Sequence, residues 1–159
     1  MATRNHRLSG KTADREIVIS RLYDTPRELV FRAWTSPEHV RHWWGPNGFT
    51  TTTHEMDVKP DGIWRFIMHG PDGVDYKNKI LFIEVVEPEH LVYAHGGDDE
   101  GNSPPFHVTV TFADLGGVTE LTLRSLFVTA AQRDENVKFG AIEGGYQTLE
   151  RLAAFLAKM

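Results

Sequence analysis

The C-terminal stretch, residues 129–158, is the part of the sequence that most constrains the fold, because no earlier stretch has comparable helical length and periodicity. Apolar side chains recur there at intervals of three and four residues, at Phe139, Ile142, Tyr146, Leu149, Ala153 and Leu156. This spacing places them on one face of an α-helix. Since an amphipathic helix must cover an apolar partner, we expect the rest of the chain to supply a sheet.

Glycines at positions 140, 144 and 145 interrupt this helical pattern. A glycine inside a helix costs roughly 1 kcal/mol relative to alanine. At about 100° of rotation per residue, Gly145 is predicted to lie about 60° from the centre of the apolar face and to face the sheet. Without a side chain there, either the helix approaches the sheet closely or a hollow remains between them. The two alternatives imply different functions.

The middle of the chain predicts a meander of strands. Residues 15–23 alternate in polarity and predict a first strand, and Thr25-Pro26-Arg27-Glu28 matches a helix-capping box that opens two short helices ending at Gly45-Pro46. Turn sequences such as Lys59-Pro60-Asp61-Gly62 separate six further strands. We therefore predict an α+β fold, in which a curved, seven-stranded antiparallel sheet surrounds a long C-terminal helix.

Composition and charge exclude several classes of protein. The 159 residues suffice for one domain, which we divide into a flexible leader, residues 1–14, and a folded domain, residues 15–159. The net charge of −5 argues against a nucleic-acid partner. The absence of cysteine excludes disulfides and thiolate metal sites. No apolar run reaches the roughly 18 residues of a membrane span, so we predict no membrane partner and a cytoplasmic location.

Successive side chains of a strand point to opposite faces of the sheet, so their alternation (strand parity) predicts which ones face the helix. Trp64, Phe66 and Met68 share one face, opposite Arg65. The same reasoning places polar side chains on the inner face as well, namely Asn78, Ser125 and His54. Buried polar groups need partners, so either these groups pair with one another, with backbone or with water, or they contact a ligand.

The eight histidines invite a metal hypothesis. His39 and His42 lie three residues apart on a short predicted helix, but no acidic residue completes a zinc signature. The others, such as His90 and His95, are scattered through predicted turns and strand ends. We therefore predict no metal, no cofactor and no assigned catalytic residue.

Local sequence motifs add a family resemblance over residues 15–157. They are RHWWGP at 41–46, DVKPDGIWRF at 57–66, EPEHLVY at 87–93, TELTL at 119–123 and GGYQTLERL at 144–152. Together they resemble the activator of heat-shock protein 90 ATPase-like family, as a single-domain member of the START-like (SRPBCC) superfamily. The resemblance implies the helix-grip fold of that superfamily.

The resemblance also implies three alternatives for function. In the superfamily, the groove between sheet and long helix holds small apolar or aromatic molecules, so binding such a molecule is the first expectation. A polyketide cyclase, aromatase or hydrolase using the same cavity is the second. A co-chaperone-like, stress-response partner of heat-shock protein 90 is the third. Both a monomer and a homodimer remain open.

Candidate ligand-binding residues follow from strand parity, helix periodicity and the tryptophan pair at the predicted groove entrance. Glu143 is included because an apolar groove would raise its pKa, as general acids require, although helix geometry favours contact with water. Tyrosines are included because they can donate a hydrogen bond to a ligand. The set is Trp43, Trp44, His54, Met56, Trp64, Phe66, Met68, Tyr76, Asn78, Ile80, Ser125, Phe139, Ile142, Glu143 and Tyr146.

Overall fold

The computed structural model describes residues 12–98 and 104–159. Within them, seven strands and four α-helices follow one another in the order expected. They are β1 (Glu16–Tyr23), α1 (Arg27–Thr35), α2 (Pro37–Val40), β2 (Thr50–Met56), β3 (Ile63–His69), β4 (Asp75–Val86), β5 (His90–Gly97), β6 (Phe106–Asp114), β7 (Thr119–Leu126), α3 (Ala130–Lys138) and α4 (Ala141–Leu156).

The strands form one antiparallel sheet in the order β1-β7-β6-β5-β4-β3-β2. Strands β2 to β7 are a meander, and β1 extends the sheet by pairing with β7, for example Ile19 with Leu123. Alternation puts one face of every strand toward the helices. The α+β class and the helix-grip fold predicted from the sequence are therefore confirmed.

The C-terminal stretch contains two helices, because Gly140 breaks it. Gly140 has a φ of 93°, in the left-handed region that favours glycine, and it is the N-cap of α4. The shorter α3 begins after Thr129, whose hydroxyl accepts a hydrogen bond from the backbone N–H of Gln132 at 3.1 Å. The long helix therefore starts at Ala141, and Phe139 lies outside it.

The buried face of α4 is rotated relative to the predicted one. Leu149, Leu152 and Leu156 are buried, whereas Tyr146 is 47% exposed. The rotation is about 60° at 100° per residue, so the centre of the buried face falls near Gly145. The spacing of large apolar residues does not predict this rotation, but the prediction that Gly145 faces the sheet is confirmed by its close approach to Ile19.

The beginning of the described chain is ordered into a short 3-10 helix, Ala13–Arg15, that contacts α3. Of the leader predicted over residues 1–14, residues 1–11 lie outside the described residues. Arg15 donates a hydrogen bond to the carbonyl oxygen of Phe127 at 2.7 Å.

One end of the inner face is packed solid with aromatic rings. Trp34 contacts Trp43 and Trp44 with ring centroids 5.0 and 5.6 Å apart, and Trp44 contacts Trp64 at 4.7 Å. The Trp43 indole N–H donates to the carbonyl oxygen of Ala33 at 3.1 Å, which satisfies its polar atom in the core. The short helices α1 and α2 therefore anchor the sheet at this end and leave the other end to α3 and α4.

Candidate functional site

A cavity of about 640 Å³ lies between the inner face of the sheet and the first turns of α4. Its floor consists of side chains from β1, β3, β4, β5, β6 and β7, and its rim consists of the loop after α2 together with α3 and its junction with α4. The lining is mostly apolar, with Ile17, Ile19, Trp34, Trp44, Phe49, Met68, Phe106, Val108, Leu123, Phe127 and Leu149 among its members.

Small residues on α4 create this hollow. Ala141, Gly144 and Gly145 line it, so the first turn of the helix places no large side chain in the space, and Leu149 is the large α4 residue that borders it further along. At Gly145 the helix also approaches the sheet closely, since a Cβ there would lie 2.6 Å from Cδ1 of Ile19. Both alternatives drawn from the sequence therefore hold, because close contact at Gly145 sets the depth of the neighbouring cavity.

A hydrogen-bonded pair of polar side chains lies on the cavity floor. Nε2 of His95 and Oδ1 of Asn78 are 2.9 Å apart, and Nδ2 of Asn78 donates to the carbonyl oxygen of Tyr76 at 2.9 Å. His95 is half-buried, and it lines the cavity. Desolvation by burial lowers the pKa of His95 from 6.5 to about 4, so its ring is neutral at pH 7.

Tyr93 adds a hydroxyl to the same floor. It is 2% exposed and lines the cavity two residues before His95 on β5. Burial raises its pKa far above the usual value, and the neighbouring Trp34 side chain offsets this only in part. Tyr93 therefore stays protonated across the physiological range and retains a hydroxyl proton.

Arg151 holds the rim of the cavity in place. Its Nη1 donates to the carbonyl oxygens of Gly45 at 2.7 Å and Pro46 at 3.0 Å. This guanidinium group spans from α4 to the loop that carries Trp44, and partial burial lowers its pKa from the usual value. The rim is therefore tied to the long helix by charge-assisted hydrogen bonds.

The structure brings six of the predicted site residues together around the cavity. They are Trp44, Met68, Tyr76, Asn78, Ser125 and Phe139. Phe139 stands at the α3–α4 junction and is 85% exposed. Strand parity placed Met68, Asn78 and Ser125 correctly on the inner face.

Other predicted residues belong to the solid core. Trp43, Trp64 and Ile80 are fully buried, and Phe66 is 1% exposed and stacks on Trp64 at 4.1 Å. Met56 packs against the same cluster. The alternation of side chains along a strand correctly predicts that the strand residues among them face inward. It does not predict which end of the inner face is filled by side chains.

The remaining predicted residues do not line the cavity, although Ile142 packs against the core. His54 is exposed because the pairing of β2 with β3 shifts register between Thr53 and Glu55, and such a bulge breaks the alternation on which the prediction rested. Ile142, Glu143 and Tyr146 do not line the cavity because the buried face of α4 is rotated. The two side chains proposed for proton transfer, His54 and Glu143, are both exposed.

Sequence reasoning missed much of the real lining, above all His95 and Phe106. The signal was present, because Leu91, Tyr93 and His95 alternate on one face of β5. His95 was instead grouped with histidines at strand ends. The cavity is also lined by Gln132 and Asn136 of α3 and by Pro104 before β6. Hydrophobic periodicity could not predict these residues, because they reach the cavity through the packing of a loop and a helix.

The described parts of the chain contain neither a metal-binding cluster nor a helix that could span a membrane. Over residues 12–98 and 104–159, no group of three or more histidine, aspartate or glutamate side chains is placed to hold a metal ion. His39 and His42 both pack against the ring of Phe155, at 5.3 and 5.6 Å. None of the helices in these same residues is long and apolar enough to cross a membrane.

Comparisons with known proteins agree with this architecture. The family model described as "Activator of Hsp90 ATPase homolog 1-like protein" matches residues 24–157. No curated protein sequence matches the chain. A crystal structure from Mycobacterium smegmatis is similar with a TM-score of 0.84 and 24% identity, covering 92% of this chain and 94% of that one.

Two further solved structures extend the likeness. A solution structure from Arthrobacter aurescens has a TM-score of 0.85 and 26% identity, covering 92% of this chain and 88% of its own. A Silicibacter pomeroyi protein named AHSA1 has a TM-score of 0.74 and 23% identity, covering 89% of this chain and 97% of its own. The alignments cover most of both chains in each case, and at this identity they establish the shared fold.

Proposed function

We propose that this chain, which belongs to the Activator of Hsp90 ATPase homolog 1-like family, binds a small apolar or aromatic molecule in the cavity between its sheet and α4. The observation that carries the proposal is the cavity itself. Its volume of about 640 Å³ falls in the range of roughly 300–1,000 Å³ that is usual for small-molecule sites.

The chemistry of the lining supports this choice of ligand. Rigid aromatic walls from Trp34, Trp44 and Phe106 offer apolar area, and burial of a ligand against them supplies affinity. Asn78, His95 and Ser125 interrupt that surface at a few points and would orient the bound molecule. The proposed function needs no titrating side chain, metal or cofactor.

Native mass spectrometry of freshly purified protein is the direct experiment. We expect a defined extra mass that is lost on denaturation, and its value would identify the molecule. A chain recovered bare is then titrated with N-phenyl-1-naphthylamine, an uncharged fluorescent probe small enough for the cavity. Absence of saturable binding of this probe would contradict the proposal.

A matched pair of substitutions at Gly144 localises the binding. A Cβ at this position would lie 3.6 Å from Pro46, at ordinary contact distance, so a larger side chain extends into the rim without backbone strain. Gly144→Leu should weaken probe binding at least about tenfold by filling space. Gly144→Ala gives the same gain in helix propensity and should bind nearly as wild type. Equal affinity in all three proteins would place the probe elsewhere.

A second candidate function is contact with the Hsp90 chaperone, favoured by the family description and by one surface feature. Phe139 is 85% exposed at the α3–α4 junction, and exposed aromatic residues often anchor protein interfaces. We expect the protein to alter the ATPase rate of Hsp90 at micromolar concentration, and Phe139→Ser to lose the effect. An ATPase rate unchanged by the wild-type protein would remove this candidate.

A further inference from the structure

The described side chains that line the cavity carry no formal charge. Among the described residues, the lining contains neither aspartate, glutamate, lysine nor arginine, and its histidine is neutral at pH 7. A buried ion without a partner is strongly disfavoured. A ligand carrying a carboxylate or ammonium group inside the cavity would therefore lose hydration without meeting a described side chain of opposite charge.

Asn78 fixes the tautomer of His95. Its Nδ2 donates to the carbonyl oxygen of Tyr76, and the reversed amide would set Oδ1 against that carbonyl oxygen, which is repulsive. Oδ1 therefore faces Nε2 of His95 at 2.9 Å. Because an amide oxygen only accepts hydrogen bonds, Nε2 must carry the ring proton.

The other ring nitrogen of His95, Nδ1, is consequently a bare acceptor. Over the described ranges, 12–98 and 104–159, no protein group forms a hydrogen bond with it. The ring borders the cavity among aromatic neighbours, with Phe106 at 5.2 Å, Phe66 at 6.0 Å and Tyr93 at 6.5 Å between centroids. A molecule that fills the space excludes water from this acceptor, so the molecule should supply a donor in its place.

We propose that the cavity selects an uncharged aromatic molecule bearing a hydrogen-bond donor, with a neutral phenol as the simplest example, whose O–H donates to Nδ1 of His95. The proposal rests on the proposed function, since it names the class of ligand for the same site. A carboxylate is disfavoured twice, by the uncharged lining and by the lone pair of Nδ1. An ether of the same shape fits the apolar walls but leaves Nδ1 without a partner.

Calorimetric titrations near pH 7 with three naphthalene derivatives separate the effect of the hydrogen-bond donor from the effect of ligand charge. They are 2-naphthol, which donates a hydrogen bond, 2-methoxynaphthalene, which does not, and 2-naphthoate, which is charged. We expect 2-naphthol to bind about tenfold more tightly than 2-methoxynaphthalene, which is the usual worth of one buried hydrogen bond. We expect 2-naphthoate to bind more weakly than either.

Variants assign the preference to His95. His95→Leu should lower the ratio of the two dissociation constants from about ten to about one. The single variant leaves Asn78 without its partner and could fail to fold for that reason. The double variant Asn78→Leu/His95→Leu removes both polar groups together, and it tests the same preference in that case. His107→Leu is the matched control, because His107 is exposed and lies on the opposite face of β6. It should keep the wild-type ratio.

The outcomes distinguish the two proposals. Equal affinities for 2-naphthol and 2-methoxynaphthalene would leave the binding function standing and overturn the phenol preference. A preference that persists in His95→Leu, or tightest binding of 2-naphthoate, would also overturn it. Failure of every probe to bind would overturn both proposals.

Discussion

The two ends of the inner face of the sheet are built from the same strands but are filled differently. At the closed end, β4 contributes Ile80 and Phe82, and β6 contributes Val110 and Phe112, all of them buried. At the open end, the same strands contribute Asn78 and Phe106 to a cavity wall. Strand composition alone does not account for the contrast, since large apolar side chains occur at both ends.

The helices decide which end is hollow. At the closed end, α1 and α2 bring Trp34, Val40 and the neighbouring Trp43 onto the sheet, and the last turns of α4 bring Leu152 and Leu156. At the open end, the first turns of α4 present mainly glycine and alanine. The comparison teaches that the cavity in this fold is made by side chains missing from the covering helix.

Truncation at the closed end should have the largest effect. Trp43 is fully buried, and Trp43→Ala should lower the free energy of unfolding by about 3–5 kcal/mol, through lost apolar burial and a residual void. Chemical denaturation measures this difference. Phe139→Ala, at the exposed rim, should change stability by less than about 0.5 kcal/mol. Similar losses in the two variants would contradict the division into a solid and a hollow end.

Acid should destabilise the open end through His95. In the unfolded chain this ring takes up a proton near pH 6.5, whereas in the folded protein its pKa is about 4. The folded state therefore binds fewer protons in this interval, and the free energy of unfolding falls as the pH falls from 6.5 to 4, by up to about 3 kcal/mol.

The double variant Asn78→Leu/His95→Leu isolates this contribution from that of the other histidines. Denaturation at a series of pH values should show a shallower loss of stability in the variant than in the wild type. Parallel pH profiles for the two proteins would mean that His95 is not held neutral by burial.

The smallest predicted effect is the difference in stability between alanine substitutions at two adjacent glycines, Gly144 and Gly145. A Cβ at position 144 would make ordinary contact with Pro46, whereas one at position 145 would lie 2.6 Å from Cδ1 of Ile19. Gly144→Ala should stabilise the protein by about 1 kcal/mol through helix propensity. Gly145→Ala should stabilise the protein by about 1 kcal/mol less than Gly144→Ala does, because Ile19 must move to make room for the added Cβ.

Ile19→Val tests the reason for that difference. It removes the Cδ1 atom that a Cβ at position 145 would meet, so Gly145→Ala should be more favourable in this background than in the wild type. Double-mutant analysis of thermal or chemical unfolding measures the coupling. A coupling of zero would mean that Gly145 does not set the spacing between helix and sheet.

Much of the fold followed from local patterns in the sequence. Turn sequences between alternating segments predicted the meander, and the periodicity after Gly140 predicted the covering helix. Strand parity identified Met68, Asn78 and Ser125 as inward-facing. These predictions held because alternation and helical periodicity are properties of the backbone, which neighbouring elements seldom override.

Residue-level predictions of the site were less accurate where tertiary contacts intervene. The bulge at His54 turned that side chain outward while Met56 on the same strand still packs inward, and Gly140 separates the long helix from Phe139, which that helix was expected to carry. The face of α4 turned toward Gly145 because close approach of two backbones is favourable where a side chain is missing. The spacing of hydrophobic residues in the sequence does not predict such a close approach of helix and sheet.

The sequence by itself determined the class of fold, the direction in which most strand side chains point, and the small residues that leave room beneath the long helix. The tertiary structure alone decided that aromatic rings fill one end of the sheet and that His95 meets Asn78 at the other. The physical reason is that backbone alternation is encoded locally, whereas filling and pairing depend on which distant segments pack over each strand.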